Sequence, residues 1–329
     1  MPGPDTDHAD TAPVPTPRPS ASRDDEVPRT RTDRPITHLT AHTAEQPSPY
    51  DLPHGPLVTL FREAGTTGKV NEVLRLLAAA ADLRDPPAGA SPTPRRTFFA
   101  DGPVGPALVC FPSLIAPAHA YQYARFATAF RERRGLLVLA PSGYTCGEPL
   151  PATLREFIDC QVTALRDSYL GDRPPVLVGH SSGGWVAHAI AEALAQQGTP
   201  PTGVVLLDTF LPDSPELSAL QTGLFATLAE TAGIAELTTE SALSAMGRHH
   251  TLFRNWRPGA TVGPTLLVRA TDALNTITPN AAVPELSWPT RHEAINVPGN
   301  HLTMMSTFGP TTGRSVESWL SGQGPEQQS

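Results

Sequence analysis

The five residues 179–183, Gly-His-Ser-Ser-Gly, restrict the fold more than any other feature of this 329-residue chain. An apolar run at 175–178 precedes them, and a helix-forming stretch at 185–197 follows them. A strand, a sharp turn and a helix in this order form a nucleophile elbow, which exposes a serine hydroxyl at the edge of a sheet. The residues two before and two after that serine must be small, so Ser181, which glycines flank, fits the role better than Ser182.

The rest of the chain alternates short apolar runs with amphipathic stretches. Six runs have the length and composition of strands: Ala107–Phe111, Leu136–Ala140, Val176–Gly179, Gly203–Asp208, Thr265–Arg269 and Ala294–Val297. Four stretches have helical periodicity: Tyr121–Arg133, Leu154–Leu170, Trp185–Gln197 and Thr312–Leu320. Because this alternation is typical of β-α-β units, we predict an α/β fold whose mostly parallel sheet carries helices on both faces.

One long interval, between Asp208 and Thr265, interrupts this alternation and has no clear strand. Four leucines recur there at helical spacing: Leu217, Leu220, Leu224 and Leu228. A second helix is predicted over 239–253. Long insertions in compact domains are usually functional. We therefore predict that residues 211–262 form a helical lid over the nucleophile.

The two ends of the chain differ in composition from its middle. Residues 1–55 are rich in Pro, Thr, Asp and Arg, and the first 50 residues hold 10 of the 37 prolines. Such a segment buries too little apolar surface to fold, so we expect a disordered tail or linker, and another at 323–329. The folded domain is expected at 56–322. Two amphipathic helices predicted within 56–84 bury their apolar stripes either on this domain or on a second copy of the chain.

Composition excludes several classes of function. The net charge of −8 argues against nucleic acid as a partner. No apolar run reaches the length of a membrane span, and no secretion signal is visible. The three cysteines form no CxxC pair, which fits a reducing cytoplasm. The sequence suggests no metal cluster and no phosphate-binding glycine loop, so neither a metal nor a cofactor is expected.

A nucleophilic serine needs a base within hydrogen-bonding reach and a third group that orients the base. Around such an elbow the chain order is nucleophile, acid, base. His301 follows the last predicted strand and is the histidine in the correct place. Asp208 and Asp272 each follow a strand at its carboxyl end, on the active-site edge of the sheet. Spacing alone does not choose between the two carboxylates.

The oxyanion formed during acyl transfer requires two preorganised N–H donors. One is expected to be the backbone amide of Ser182. The other should come from the loop after the first core strand, at Ser113 or Leu114. Four residues are candidates to contact substrate or to belong to the lid: Leu114, Trp185, Leu224 and His250.

The chain closely resembles the chain-terminating thioesterase domains of modular type I polyketide synthases, over roughly residues 57–320. Six segments carry the resemblance: Leu-Phe-Arg at 60–62, Leu-Leu-Ala-Ala-Ala-Ala-Asp-Leu-Arg at 76–84, Gly-Glu-Pro-Leu-Pro at 147–151, Gly-His-Ser at 179–181, Gly-Val-Val-Leu-Leu-Asp at 203–208 and Val-Pro-Gly-Asn-His-Leu-Thr-Met at 297–304.

This resemblance implies an α/β-hydrolase fold with a helical lid and a homodimer held together by the helices in 56–84. In that family the triad acid lies in the strand after the nucleophile helix, which favours Asp208 over Asp272. The implied substrate is a polyketide chain on the phosphopantetheine arm of an acyl carrier protein. The chain would be transferred to Ser181 and then released by macrolactonisation or by hydrolysis.

Three other functions fit parts of the same pattern. An editing thioesterase would hydrolyse short, stalled acyl groups, but that class usually lacks the paired N-terminal helices. A carboxylesterase would prefer small oxygen esters and would ignore carrier proteins. A catalytically inactive dimerising module would bind carrier protein but form no acyl-enzyme.

Overall fold

A seven-stranded sheet forms the centre of the computed structural model. Its strands in chain order are β1 (Arg95–Pro103), β2 (Leu108–Phe111), β3 (Arg134–Ala140), β4 (Val176–His180), β5 (Gly203–Leu207), β6 (Thr265–Ala270) and β7 (Glu293–Val297). Their spatial order is β1-β3-β2-β4-β5-β6-β7, in which only β1 is antiparallel to its neighbour. The predicted α/β fold is confirmed, and all six predicted strands are present.

The structure describes residues 55–84, 89–168, 170–230, 238–259, 263–274 and 286–322. Residues 1–54 and 323–329 of the two expected tails lie outside these ranges. No helix in the described ranges is long and apolar enough to cross a membrane.

The helices of the main domain cover both faces of the sheet. They are α3 (Leu154–Arg166), α4 (Gly183–Gln196) and α7 (Gly309–Gly322), together with the 3₁₀ turns Ala120–Tyr123 and Phe126–Phe130. Alternate residues of the strands β2 to β6 belong to two separate cores. In β4, for example, Leu177 packs with α3 and α4, whereas Val176 and Val178 pack with the 3₁₀ turns and α7. This alternation follows from the two-residue period of a strand.

Two elements differ from the sequence prediction. Strand β1, which was not predicted, is an edge strand with many exposed residues, so it lacks the apolar run of a central strand. The predicted helix Tyr121–Arg133 is instead the two 3₁₀ turns. The Tyr123 hydroxyl donates to the Phe111 carbonyl at 2.8 Å, which holds the first turn at the end of β2 and overrides the helical periodicity.

Among the described residues, four further helices form a layer of their own. These are α1 (Pro56–Thr67), α2 (Val70–Asp82), α5 (Pro215–Glu230) and α6 (Glu240–Phe253). Helix α1 packs on α5, and α2 packs on α6. Phe61 and Leu77 are buried against Phe225, Leu243 and neighbouring apolar side chains. The apolar stripes of the N-terminal helices are therefore covered by the predicted lid of the same chain.

Candidate active site

A strained backbone holds Ser181 at the turn between β4 and α4. Its φ of +55° lies in the left-handed region, which non-glycine residues rarely adopt. A Cβ on Gly179 would lie 2.1 Å from the Gly183 carbonyl oxygen, and one on Gly183 would lie 2.2 Å from that of Phe111. The amide of Ser181 donates to the Leu207 carbonyl of β5 at 2.9 Å. The turn is therefore possible only with glycines on both sides of the serine.

The structure brings His301 and Asp208 together. The Nδ1 atom of His301 lies 2.8 Å from Oδ2 of Asp208, and both side chains are buried. The other carboxyl oxygen of Asp208 accepts the Ala270 amide at 3.1 Å. Since an ionised carboxylate only accepts, the proton between them is assigned to Nδ1, so that Nε2 is the atom that acts as the base whenever the imidazole is neutral.

Asp272, the other carboxylate that spacing allowed, has a different environment. It is exposed, and its Oδ1 accepts the Thr271 hydroxyl at 3.1 Å. Its amide donates to the Gly299 carbonyl in the loop before His301, at 2.9 Å. Asp272 therefore lies near His301, but its contact there is a backbone hydrogen bond to the loop that precedes His301.

The predicted oxyanion residues form a tight cluster at the start of α4. Ser182 is the N-cap of that helix, where backbone amides have no partner within the helix. Its hydroxyl accepts the Leu114 amide at 2.9 Å and lies 3.2 Å from the Ser113 hydroxyl. The Ser113 amide donates to Oε1 of Gln122 at 2.9 Å. The Ser113 and Leu114 amides, the two candidates for the second donor, therefore both have hydrogen-bond partners. Of these two partners, the Ser182 hydroxyl is the one that can rotate away.

A cavity of about 640 Å³ reaches His301 from the side of the β2 loop. Its lining includes Ser113, Ile115, Leu224, Leu228, Leu302 and Met305. Helix α5, which lies in the predicted lid, therefore forms one of its walls. Among the predicted lid and substrate residues, Leu224 lines this cavity, and Leu114 is fully buried beside it.

Trp185 and His250 lie elsewhere. The Trp185 indole donates to the Phe210 carbonyl at 2.6 Å, and its ring packs against that of His250 at 5.6 Å. Both line a separate cavity of about 50 Å³ with Gln221 and Arg254. Burial lowers the pKa of His250 to about 4, so this imidazole is neutral at pH 7.

Two further residues join the site that sequence reasoning did not assign to it. His180 lies within the serine motif but received no role, and Gln122 lies within the predicted helix Tyr121–Arg133. The His180 ring lies 4.7 Å from that of His301, and its two nitrogens contact Gln122 and the His301 backbone. Strand alternation could have indicated this, because it places His180 on the same face as Val176 and Val178, under the aromatic stretch 120–130.

Among the described residues, no group of three or more His, Cys, Asp or Glu side chains could hold a metal ion. The site thus consists of a strained serine, a buried histidine-carboxylate pair and a cluster of backbone amides. Such a set can transfer an acyl group through a covalent serine ester.

The sequence matches the family model described as "Thioesterase domain" over residues 106–312. It is 39% identical over 270 residues to "Polyketide synthase GfsE" of Streptomyces halstedii, covering 79% of this chain and 7% of that protein. It is 32% identical over 264 residues to "Erythronolide synthase EryA3" of Saccharopolyspora erythraea, covering 80% of this chain and 8% of that protein. The chain therefore spans less than a tenth of either relative.

Solved structures share the fold at low sequence identity. The NocB thioesterase domain from the nocardicin cluster superimposes with a TM-score of 0.52 at 20% identity, covering 69% of this chain and 98% of that one. The Vlm2 thioesterase domain bound with a dodecadepsipeptide gives a TM-score of 0.50 at 16% identity, covering 68% and 98%. These likenesses confirm the predicted α/β-hydrolase fold.

Proposed function

Because this chain belongs to the thioesterase domain family, we propose that it releases a finished polyketide from the phosphopantetheine arm of an acyl carrier protein. The similarity to two modular polyketide synthases over about four-fifths of the chain supports this substrate class. The observation that carries the chemistry is the 2.8 Å contact between His301 and Asp208, beside the strained elbow of Ser181. No cofactor takes part in the reaction, since the carrier delivers the acyl group as an activated thioester.

The first half of the reaction forms an acyl-enzyme. Nε2 of His301 takes the hydroxyl proton of Ser181 as the serine oxygen attacks the thioester carbonyl. Asp208 holds the imidazole by Nδ1–H and stabilises its cation. The carbon–sulfur bond then breaks, His301 gives its proton to the leaving pantetheine sulfur, and an ester on Ser181 remains.

The oxyanion is stabilised by the Ser182 amide and the Leu114 amide. Leu114 is the better second donor because the Ser182 hydroxyl, its present partner, can rotate away, whereas Gln122 holds the Ser113 amide. The backbone fixes the position of both amides, so only the Ser182 hydroxyl reorients when charge develops on the carbonyl oxygen.

The second half releases the chain. Either water or a hydroxyl of the polyketide gives its proton to His301 and attacks the ester carbonyl. The bond between the carbonyl carbon and the Ser181 oxygen then breaks, and His301 returns the proton to that oxygen, which leaves an acid or a macrolactone and the free serine. The outcome depends on how the cavity wall, which includes Leu224 and Leu228, folds the chain and excludes water.

Thiol release tests this function directly. The purified protein is given a long hydroxyacyl pantetheine thioester, free thiol is measured, and the product mass is determined. We expect release by the wild type and none by Ser181→Ala, with acid and lactone differing in mass by one water. Equal release from both proteins would refute the serine mechanism.

Substrate choice separates the proposal from its competitors. An editing thioesterase would favour short acyl chains, and a carboxylesterase would cleave oxygen esters as readily as thioesters. An inactive module would bind carrier protein without releasing thiol. We expect thiol release to be faster from long acyl chains on a carrier protein than from short acyl thioesters, and faster than the hydrolysis of small oxygen esters.

We infer that the enzyme is a homodimer joined through the outer faces of α1 and α2. Three leucines there remain exposed although their helices are covered by the lid on the other side: Leu60, Leu76 and Leu83. Exposed apolar side chains on two helices that contact each other are typical of interaction surfaces. The pair Leu60→Asp/Leu76→Asp should convert the dimer to a monomer in size-exclusion chromatography with light scattering. Phe98→Asp, at an exposed apolar position on β1, should leave the dimer intact; a wild-type monomer would contradict the inference.

A further inference from the structure

A continuous chain of hydrogen bonds crosses the site without involving the reacting atoms. Nε2 of His180 lies 2.9 Å from the His301 carbonyl oxygen, and its Nδ1 lies 2.8 Å from Nε2 of Gln122. Oε1 of Gln122 accepts the Ser113 amide at 2.9 Å. The base loop is thus connected through the elbow to the loop that carries the predicted oxyanion donors.

The chemistry of these partners fixes every proton in the chain. A carbonyl oxygen only accepts, so His180 carries its proton on Nε2 and donates it to His301. Nδ1 must then accept from the Gln122 amide group, which places the Gln122 oxygen toward the Ser113 N–H. Each group has one arrangement that satisfies both of its neighbours.

The imidazole of His180 is also held in this neutral form. Burial, and next the adjacent His301, lower the pKa of His180 to about 3. His180 is only 1% exposed. A second proton, on Nδ1, would face the amide NH₂ of Gln122 and interrupt the series of hydrogen bonds. The arrangement therefore requires the neutral tautomer of His180.

The geometry points to His180 and Gln122 as positioning residues that fix the His301 loop and the Ser113–Leu114 loop relative to each other. This inference rests on the proposed function, because it assigns these loops the base and an oxyanion donor. Neither residue exchanges a proton with substrate. If the base or the oxyanion donors shift by a fraction of an ångström, stabilisation of the transition state is reduced more than the binding of substrate.

Two substitutions of similar size remove different hydrogen bonds of this series. His180→Phe keeps a planar ring and removes both of its hydrogen bonds. Gln122→Glu keeps an acceptor for the Ser113 amide but cannot donate to Nδ1 of His180. His188→Phe is the matched control: His188 is fully buried on α4 and contacts Trp256 and Trp288, away from the site.

The experiment measures kcat and KM for thiol release from a pantetheine thioester, the melting temperature, and the downfield proton resonance of the His301–Asp208 hydrogen bond. We expect each site variant to lower kcat about 10- to 100-fold while KM changes less than about 3-fold. The resonance should shift in both. The double variant should be no slower than the worse single variant, because the two residues act as one unit. His188→Phe should keep kcat and the resonance.

Unchanged kcat in Gln122→Glu, even with a lower melting temperature, would overturn the inference, as would losses that multiply in the double variant. If His180→Phe fails to fold, Gln122→Glu alone decides, since Gln122 lies nearer the surface. Failure of the proposed function is distinguishable: wild-type protein would then release no thiol, whereas the resonance would still report whether the chain positions His301.

Discussion

The carboxylate of Asp208 has one oxygen for the backbone and one for the base. Because Oδ1 accepts the Ala270 amide, an asparagine here would keep its oxygen on that amide and turn its NH₂ toward His301. That arrangement imposes the wrong imidazole tautomer. Asp208→Asn should therefore lower kcat about 10³- to 10⁴-fold with little loss of stability. Asp272→Asn is the matched control and should stay within a few-fold of the wild type in the same thiol-release assay; reversed effects would make Asp272 the triad acid.

The Ser182 hydroxyl has a structural partner but no assigned part in the chemistry. Ser182→Ala leaves the buried Leu114 amide without its acceptor in the free enzyme, which should lower the free energy of unfolding by about 1–3 kcal/mol. The same change frees that amide for the oxyanion, so kcat should not fall. Urea unfolding and thiol release measure the two effects on one sample. A loss of kcat near 100-fold would instead show that the hydroxyl itself serves the reaction.

Chain order is enough to propose the nucleophile, the acid and the base, whereas contacts that depend on packing cannot be proposed from it. Ser181, Asp208 and His301 could be proposed because an elbow and two strand ends place them in one region. Strand alternation indicates which face of the sheet carries His180, but the hydrogen bond to Gln122 depends on a 3₁₀ turn where the periodicity predicted an α-helix. Ser113 was chosen for its backbone amide, and only the structure reveals that Gln122 holds that amide.

At the scale of elements, the backbones of helices α2 and α6 approach each other closely. A Cβ on Gly247 of α6 would lie 2.4 Å from the Ala78 nitrogen and 2.5 Å from the Leu77 carbonyl carbon of α2. Gly247→Ala should therefore lower the free energy of unfolding by about 1–3 kcal/mol, although alanine is the better helix former by about 1 kcal/mol. Gly322→Ala, at the end of α7 with nothing within 4 Å, should be neutral or stabilising in the same urea titration. Equal stabilisation by both substitutions would contradict the close contact.

The elements that could be predicted are those with one strong pattern. Central strands such as β4 and β5 are buried on both faces and therefore read as continuous apolar runs. Strand β1 has a mixed pattern because it lies at the edge of the sheet, so no such run marks it. The stripes of α1 and α2 were visible, but a stripe alone does not say which surface covers it. Only the structure places them against α5 and α6.

Across the whole molecule, buried histidines couple stability to pH. Burial lowers the pKa of His180 and of His249 to about 3, well below the ordinary value of 6.5. Between these values the unfolded chain binds a proton that the folded chain excludes, so stability is complete above about pH 6.5 and falls as the pH drops toward 3. Each histidine should cost about 2 kcal/mol between pH 7 and pH 5.

His249 allows this linkage to be measured away from the proposed site, because its ring stacks on Tyr144 and packs against Phe157 inside the domain. In His249→Phe, urea unfolding at pH 7, 6 and 5 should show about 2 kcal/mol less loss of stability than in the wild type, since phenylalanine binds no proton in either state. The exposed His119→Phe controls for simple removal of a histidine and should keep the wild-type slope. Identical slopes in all three proteins would mean that His249 is protonated equally in the folded and unfolded chains, and the acid sensitivity would then belong to other groups.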